Sequence, residues 1–206
     1  MGTTTQADGL GGLRELATTD PGKAQADAWA WIQELGERKD GDALEALFAQ
    51  GTTPDGLDGP TDGILVCTLT TSAVDLPVKL LTNAWMPWNG KAFDAGSATG
   101  TNRMTLSSQL PLKLLFPLYG MRDSEAKDGK LAFNFVTRVE PGAIEPAVDV
   151  LVIDYAPVTE NPDLIIRQIR DELVQLLPST YLGRILFKLP GDRLSNIGYF
   201  ALKQAV

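Results

Sequence analysis

The spacing of apolar residues changes character near Gly56. Before that point it is helical. Asp20 stands as an N-cap ahead of Pro21, and the run to Leu35 is rich in helix formers, with Trp29, Ile32 and Leu35 on one face, Trp31 beside them and Gly36 as the stop. A second short helix is predicted from Asp42, as cap, to Gln50, with Leu44, Leu47 and Phe48 inward and Gly51 closing it. Residues 1–12 are small, polar and glycine-rich, so residues 1–19 are expected to form a flexible segment.

After Gly56 the period is two. Strands are predicted at 63–71, 88–94, 99–106, 130–139, 147–155, 181–189 and 196–203, with turns at the DG of 128–129 and the GD of 191–192. Tyr181, Ile185, Phe187 and Leu189 share one face of their strand, with Arg184 and Lys188 on the other. The 147–155 strand is apolar on both faces, as a strand covered on both sides would be. Residues 162–177 fit either a helix or a strand; a short helix over 162–170 followed by a strand is the expectation. Two leucine-rich stretches, 74–86 and 106–119, are broken or bounded by Pro77, Pro87, Pro111 and Pro117 and are kept out of the sheet. The sum is a mainly β fold: an antiparallel closed barrel of about eight or more strands (residues 56–206), with a helical appendage (20–55) packed outside.

Composition narrows the chemistry. At 206 residues the chain is one domain with an appendage. It carries 18 Lys+Arg against 26 Asp+Glu, a net charge of −8 without a basic run, which argues against nucleic acid as partner. It has no histidine and a single cysteine, Cys67. That excludes histidine-based catalytic triads, histidine-ligated haem, thiolate zinc sites and an intrachain disulfide. No metal and no cofactor is expected. No apolar run is long enough to span a bilayer, and the polar start is not a secretory signal, so a cytoplasmic monomer or weak homo-oligomer is expected.

A series of short motifs carries a resemblance. In order come Leu47-Phe48, the turn Gly59-Pro60-Thr61-Asp62-Gly63, the stretch Trp88-Asn89-Gly90-Lys91-Ala92-Phe93-Asp94, Leu110-Pro111-Leu112, Asp154-Tyr155 and Tyr181-Leu182-Gly183. Over residues 47–203 this order resembles bacterial lipocalin-like proteins of the GXWXG type, with Thr61 standing where that family's turn has tryptophan. The resemblance implies a calycin barrel and transfers no catalytic residue. Haem-binding relatives of such barrels use a histidine ligand, so haem is not expected here.

Candidate site residues follow from the barrel reading. Trp88, Lys91 and Phe93 could form an aromatic wall with a cation at a pocket mouth; the plainer expectation is a tryptophan plug beside a solvated lysine. Phe133, Phe135, Tyr155, Tyr181, Ile185 and Phe187 are expected to point inward, while Arg103 and Asn134, polar in mid-strand, hint at a partly polar lumen. Asp154 is expected in water at a strand end, and Arg167, Arg170, Asp171 and Glu172 on a solvated helical face, with Arg167 and Asp171 as an i,i+4 pair. The first functional reading is a barrel binding one hydrophobic small molecule, such as a lipid, isoprenoid or polyketide, in its lumen. The alternative is a cofactor-free cyclase or isomerase using Asp154, Tyr155, Tyr181 or Arg103. A third is a solid barrel that presents a surface to a protein partner.

Overall fold

The computed structural model describes residues 9–69, 88–124, 129–163 and 165–206. Three helices come first: α1 (Gly9–Thr19), α2 (Pro21–Glu37) and α3 (Gly41–Phe48). The strands are β1 (Gly59–Pro60), β2 (Asp62–Thr68), β3 (Trp88–Asp94), β4 (Thr99–Thr105), β5 (Arg122–Asp123), β6 (Gly129–Pro141), β7 (Asp149–Asp154), β8 (Ile169–Leu177), β9 (Thr180–Lys188) and β10 (Leu194–Lys203). A short helix, α4 (Gln109–Leu115), separates β4 from β5.

The sheet runs β1-β3-β4-β6-β7-β8-β9-β10-β2, antiparallel throughout, with β5 appended to β6. Its two ends, β1 and β2, are separated in sequence by Thr61 alone. One extended run therefore pairs with β3 at its start and with β10 over the rest, giving a nearly closed nine-strand barrel. Thr61 is the seam. Its N–H and its hydroxyl both donate to the Lys91 carbonyl (2.8 and 2.9 Å), its hydroxyl oxygen accepts from the Lys91 N–H, and its own carbonyl accepts from Arg103 (2.7 Å). The backbones approach so closely that a Cβ on Gly90, whose φ is +134°, would meet the Thr61 carbonyl oxygen at 2.1 Å.

Alternation along the strands builds two cores. Inward residues such as Phe135, Ile153, Leu173, Ile185 and Leu202 line the barrel interior. Outward Val150, Val152, Val174, Leu182 and Ala201 pack under Ile32, Leu35, Leu44, Leu47 and Phe48 of the helices. The doubly apolar β7 thus serves both cores, as its sequence predicts. Side chains anchor the helices: Asp20 caps α2 by accepting from the Lys23 N–H (3.0 Å), and the Arg14 guanidinium, midway along α1, donates to the Leu176 carbonyl of β8 (3.0 Å).

Several expectations need correction. Residues 9–19 form a helix rather than a flexible segment, because Leu10, Leu13, Leu16 and Ala17 supply an apolar face that the surrounding glycines obscure. Gly36 does not stop α2; it lies inside the helix where a Cβ would meet the Val66 carbonyl oxygen at 2.4 Å, so it serves close helix–sheet packing. The cap of α3 is Asp40, which accepts from the Ala43 N–H, not Asp42. The helix expected at 162–170 is reduced to a 3-10 turn at Ile166–Gln168, and β8 begins at Ile169, since the inward alternation of 169, 171 and 173 outweighs a local helical spacing. The turn at 191–192 is present, with both residues at positive φ. Residue 128 and the whole 74–86 stretch lie outside the described residues.

Candidate functional site

Three strand glycines prepare the barrel interior. A Cβ on Gly63 would meet the Trp88 ring at 2.6 Å, one on Gly100 the Phe135 ring at 2.4 Å, and one on Gly183 the Phe200 ring at 2.1 Å. Each ring lies against bare backbone, as glycine in a strand permits. The ammonium of Lys91 sits among them, 5.6 Å from the Trp88 ring, 5.3 Å from Phe135, 5.1 Å from Phe200 and 5.2 Å from Tyr155, all within cation–π range.

Lys91 is fully buried, and so is its counter-ion Asp171. The Lys91 Nζ donates to Asp171 Oδ2 (3.0 Å), Asn102 Oδ1 (3.0 Å) and the Tyr155 hydroxyl (2.5 Å), one acceptor for each of its three hydrogens. The Tyr155 hydroxyl donates to Asp171 Oδ2 (3.1 Å) and accepts from Asn102 Nδ2 (3.2 Å). The second Asn102 hydrogen goes to the Phe133 carbonyl (3.0 Å), and the Trp88 indole N–H donates to Asn102 Oδ1 (3.1 Å). Among the described residues one polar atom of this network has no partner: Asp171 Oδ1.

Burial shifts all three titratable groups toward neutrality. It lowers the Lys91 ammonium below the usual lysine value, against the pull of Asp171, and raises the Asp171 carboxyl, against the pull of Lys91 and Tyr155. Burial, and then the charge of Asp171, push the Tyr155 phenol well above its ordinary value, so it stays a donor.

Beside the network the backbone is strained. Phe133 has φ +54°, unusual for an aromatic residue, where Phe133 and Asn134 together face Thr101 in a bulge. Its carbonyl takes the Asn102 hydrogen, its N–H donates to the Tyr119 hydroxyl (2.5 Å), and its ring stacks on Tyr119 at 5.0 Å. The segment after β4 supplies that contact: Leu112, Leu115, Phe116, Tyr119 and Met121 pack on the interior cluster, while Leu110, Leu114 and Leu118 are 80%, 85% and 100% exposed.

The structure gathers most of the sequence candidates. Trp88, Phe93, Phe133, Phe135, Tyr155, Tyr181, Ile185 and Phe187 belong to the interior cluster. Lys91 is there too, buried rather than solvated, because its partner Asp171 comes from a strand 80 residues away in sequence. Arg103 is not there; it points outward to Thr61 and Asp62, and Asn134 accepts from Arg122 outside. The polar interior is real, but Asn102 and Asp171 make it. Their signal was available in the period-two register: Asn102 lies one residue from Arg103, and Asp171 two from Ile169. The Tyr181 ring lies in that cluster, but its hydroxyl donates to Gln204 Oε1 (3.2 Å) instead of joining the Lys91–Asp171 network.

The remaining charges bind the exterior together. Asp154 pairs with Arg138 (2.8 Å), Arg138 with Glu140, Glu140 with Arg170, Arg170 with Glu172 (2.8 Å), and Glu172 with the fully buried Arg184 (2.7 Å), which also meets Glu45 of α3 and lies 4.4 Å over the Phe48 ring. The expected solvated helical face is therefore a strand whose outward charges lie under and beside α3. Arg167 pairs with Asp163, not Asp171.

Comparison with protein-family models, curated proteins and solved structures returns no match for this chain. What defines the molecule is its architecture: a nearly closed antiparallel barrel with helices outside, consistent with a calycin or lipocalin-like fold. Among the described residues no helix is long and apolar enough to cross a membrane.

Proposed function

We propose that the protein binds one hydrophobic small molecule, of lipid, isoprenoid or polyketide type, inside the barrel, with the apolar body among the aromatic rings and a polar end at the Lys91–Asp171 pair. The observation that carries this reading is an ion pair, fully buried, in a largely apolar and aromatic interior. A hydrophobic pair of similar volume would serve folding as well or better, so an ion pair there is better explained by recognition than by stability. In this reading the protein is a relative of the GXWXG-type lipocalin-like proteins, which the motif order supports, and it works in the cytoplasm. Native mass spectrometry of the purified protein, followed by solvent extraction, tests it. A stoichiometric co-purifying apolar molecule, lost when Phe135→Asp fills the cage with a charge, is the expected result; a protein that carries nothing and takes up no apolar probe overturns it.

A second reading is favoured by Tyr155, whose hydroxyl touches both members of the ion pair. Such a proton-sharing trio suits a cofactor-free isomerase or cyclase acting on the same kind of molecule. Of the catalytic candidates named from sequence, Tyr155 alone touches the pair. Conversion of the co-purifying compound, abolished in Tyr155→Phe while binding persists, would support this reading; unchanged compound after prolonged incubation would remove it.

A further inference from the structure

The hydrogen-bond count of the buried network specifies the ligand's polar end. Lys91 has used its three hydrogens, Asn102 its two, Trp88 its one and Tyr155 its one. Asp171 Oδ2 accepts twice, and Oδ1, equally buried, accepts from no described residue. A buried carboxylate oxygen left without a donor is costly, and a partner from outside the chain that donates there would relieve that cost. That partner must donate a hydrogen. It should also be neutral, because Lys91 and Asp171 already balance and a third charge in this interior would be unpaired. An ether, ketone or aldehyde offers only acceptors, and a carboxylate would bring its own negative charge against Oδ1.

We infer that the barrel selects neutral apolar molecules bearing a hydroxyl group, whose O–H donates to Asp171 Oδ1. This rests on the lumen-binding reading above and names its ligand class. The hydroxyl stands in the place of the missing donor, and the aromatic rings around Lys91 take the adjoining hydrocarbon.

Calorimetric titration with matched probes tests it: 1-hexanol, 1-decanol and 1-tetradecanol, and for each chain length the methyl ether, the aldehyde and the carboxylate. The alcohol of the best-fitting length is expected to bind at least about tenfold tighter than its three analogues, since a site built to accept a hydrogen discriminates strongly against ligands that lack one. In the double variant Lys91→Met/Asp171→Leu, which keeps the interior neutral and filled, the alcohol should fall to the affinity of its ether. Equal binding of alcohol and ether by the unmodified protein, or tighter binding of aldehyde or carboxylate, overturns the inference and leaves the lumen-binding reading standing. No binding by any probe at any length overturns the lumen-binding reading itself, and the inference with it.

Discussion

At the scale of single residues, the buried pair makes the sharpest prediction. Lys91→Met leaves Asp171 buried without a counter-ion and should cost about 3–5 kcal/mol in urea unfolding. Adding Asp171→Leu should recover most of that loss, because the double variant has no charge left to bury. If the double variant is as unstable as the single one, the pair is contributing stability in its own right. On the exterior, the hydrogen bond from Arg138, with help from Arg170, holds the Glu140 carboxyl below its ordinary value of 4.5. Its contribution to stability is complete above that value and is lost as pH falls through the lower folded value. Glu140→Gln should therefore flatten the acid limb of a stability–pH curve and leave its slope near neutrality unchanged. Sequence made part of this legible. The aromatic members of the interior follow from alternation, and Lys91 stands in a recognisable motif. Its burial does not, because burial depends on Asp171, and a carboxylate inside an Arg-Asp-Glu run reads as solvated until the strand pairing is known.

At the scale of elements, glycine divides into two kinds. A Cβ on Gly36 would meet the Val66 carbonyl oxygen at 2.4 Å, whereas one on Gly22 would find nothing nearer than Asp20 Oδ1 at 3.9 Å. Gly36→Ala should push α2 off β2 and destabilise by about 1–3 kcal/mol. Gly22→Ala should stabilise by up to about 1 kcal/mol through helix propensity, and thermal melts of the two variants should shift in opposite directions. From sequence Gly36 reads as the stop of a helix; only the approach of a neighbouring strand shows that it serves packing. The same limit explains α1, whose glycines hid an apolar face, and residues 162–177, where helical and strand spacings coincide and tertiary pairing decides. The leucine segment after β4 was correctly kept out of the sheet. Since Leu114 is exposed, Leu114→Asp should move the unfolding free energy by no more than about 0.5 kcal/mol. A reduced rate of probe uptake in that variant, measured by stopped-flow fluorescence, would show that the segment governs access to the barrel.

At the scale of the molecule, the barrel and its external helices were legible because closure follows from several short strands that need their edges covered. The means of closure was not. Nothing in the run from Gly59 to Thr68 announces that it is strand to two different neighbours, since each half pairs with chain far away in sequence. The exterior ion ladder has the same origin: four strands and a helix contribute to it, and no local pattern assembles them.

The seam at Thr61 also sets an order of events. One edge of the ring waits for β3, the other for β10, the last strand in sequence order. During synthesis the ring therefore stays open until β10 has been made, with β2 and β9 each lacking a neighbour until it arrives. Open edges of that kind invite pairing between molecules, and contacts so distant in sequence form slowly. Nascent chains of this protein should depend most on protection from one another in the interval between completion of β9 and completion of β10.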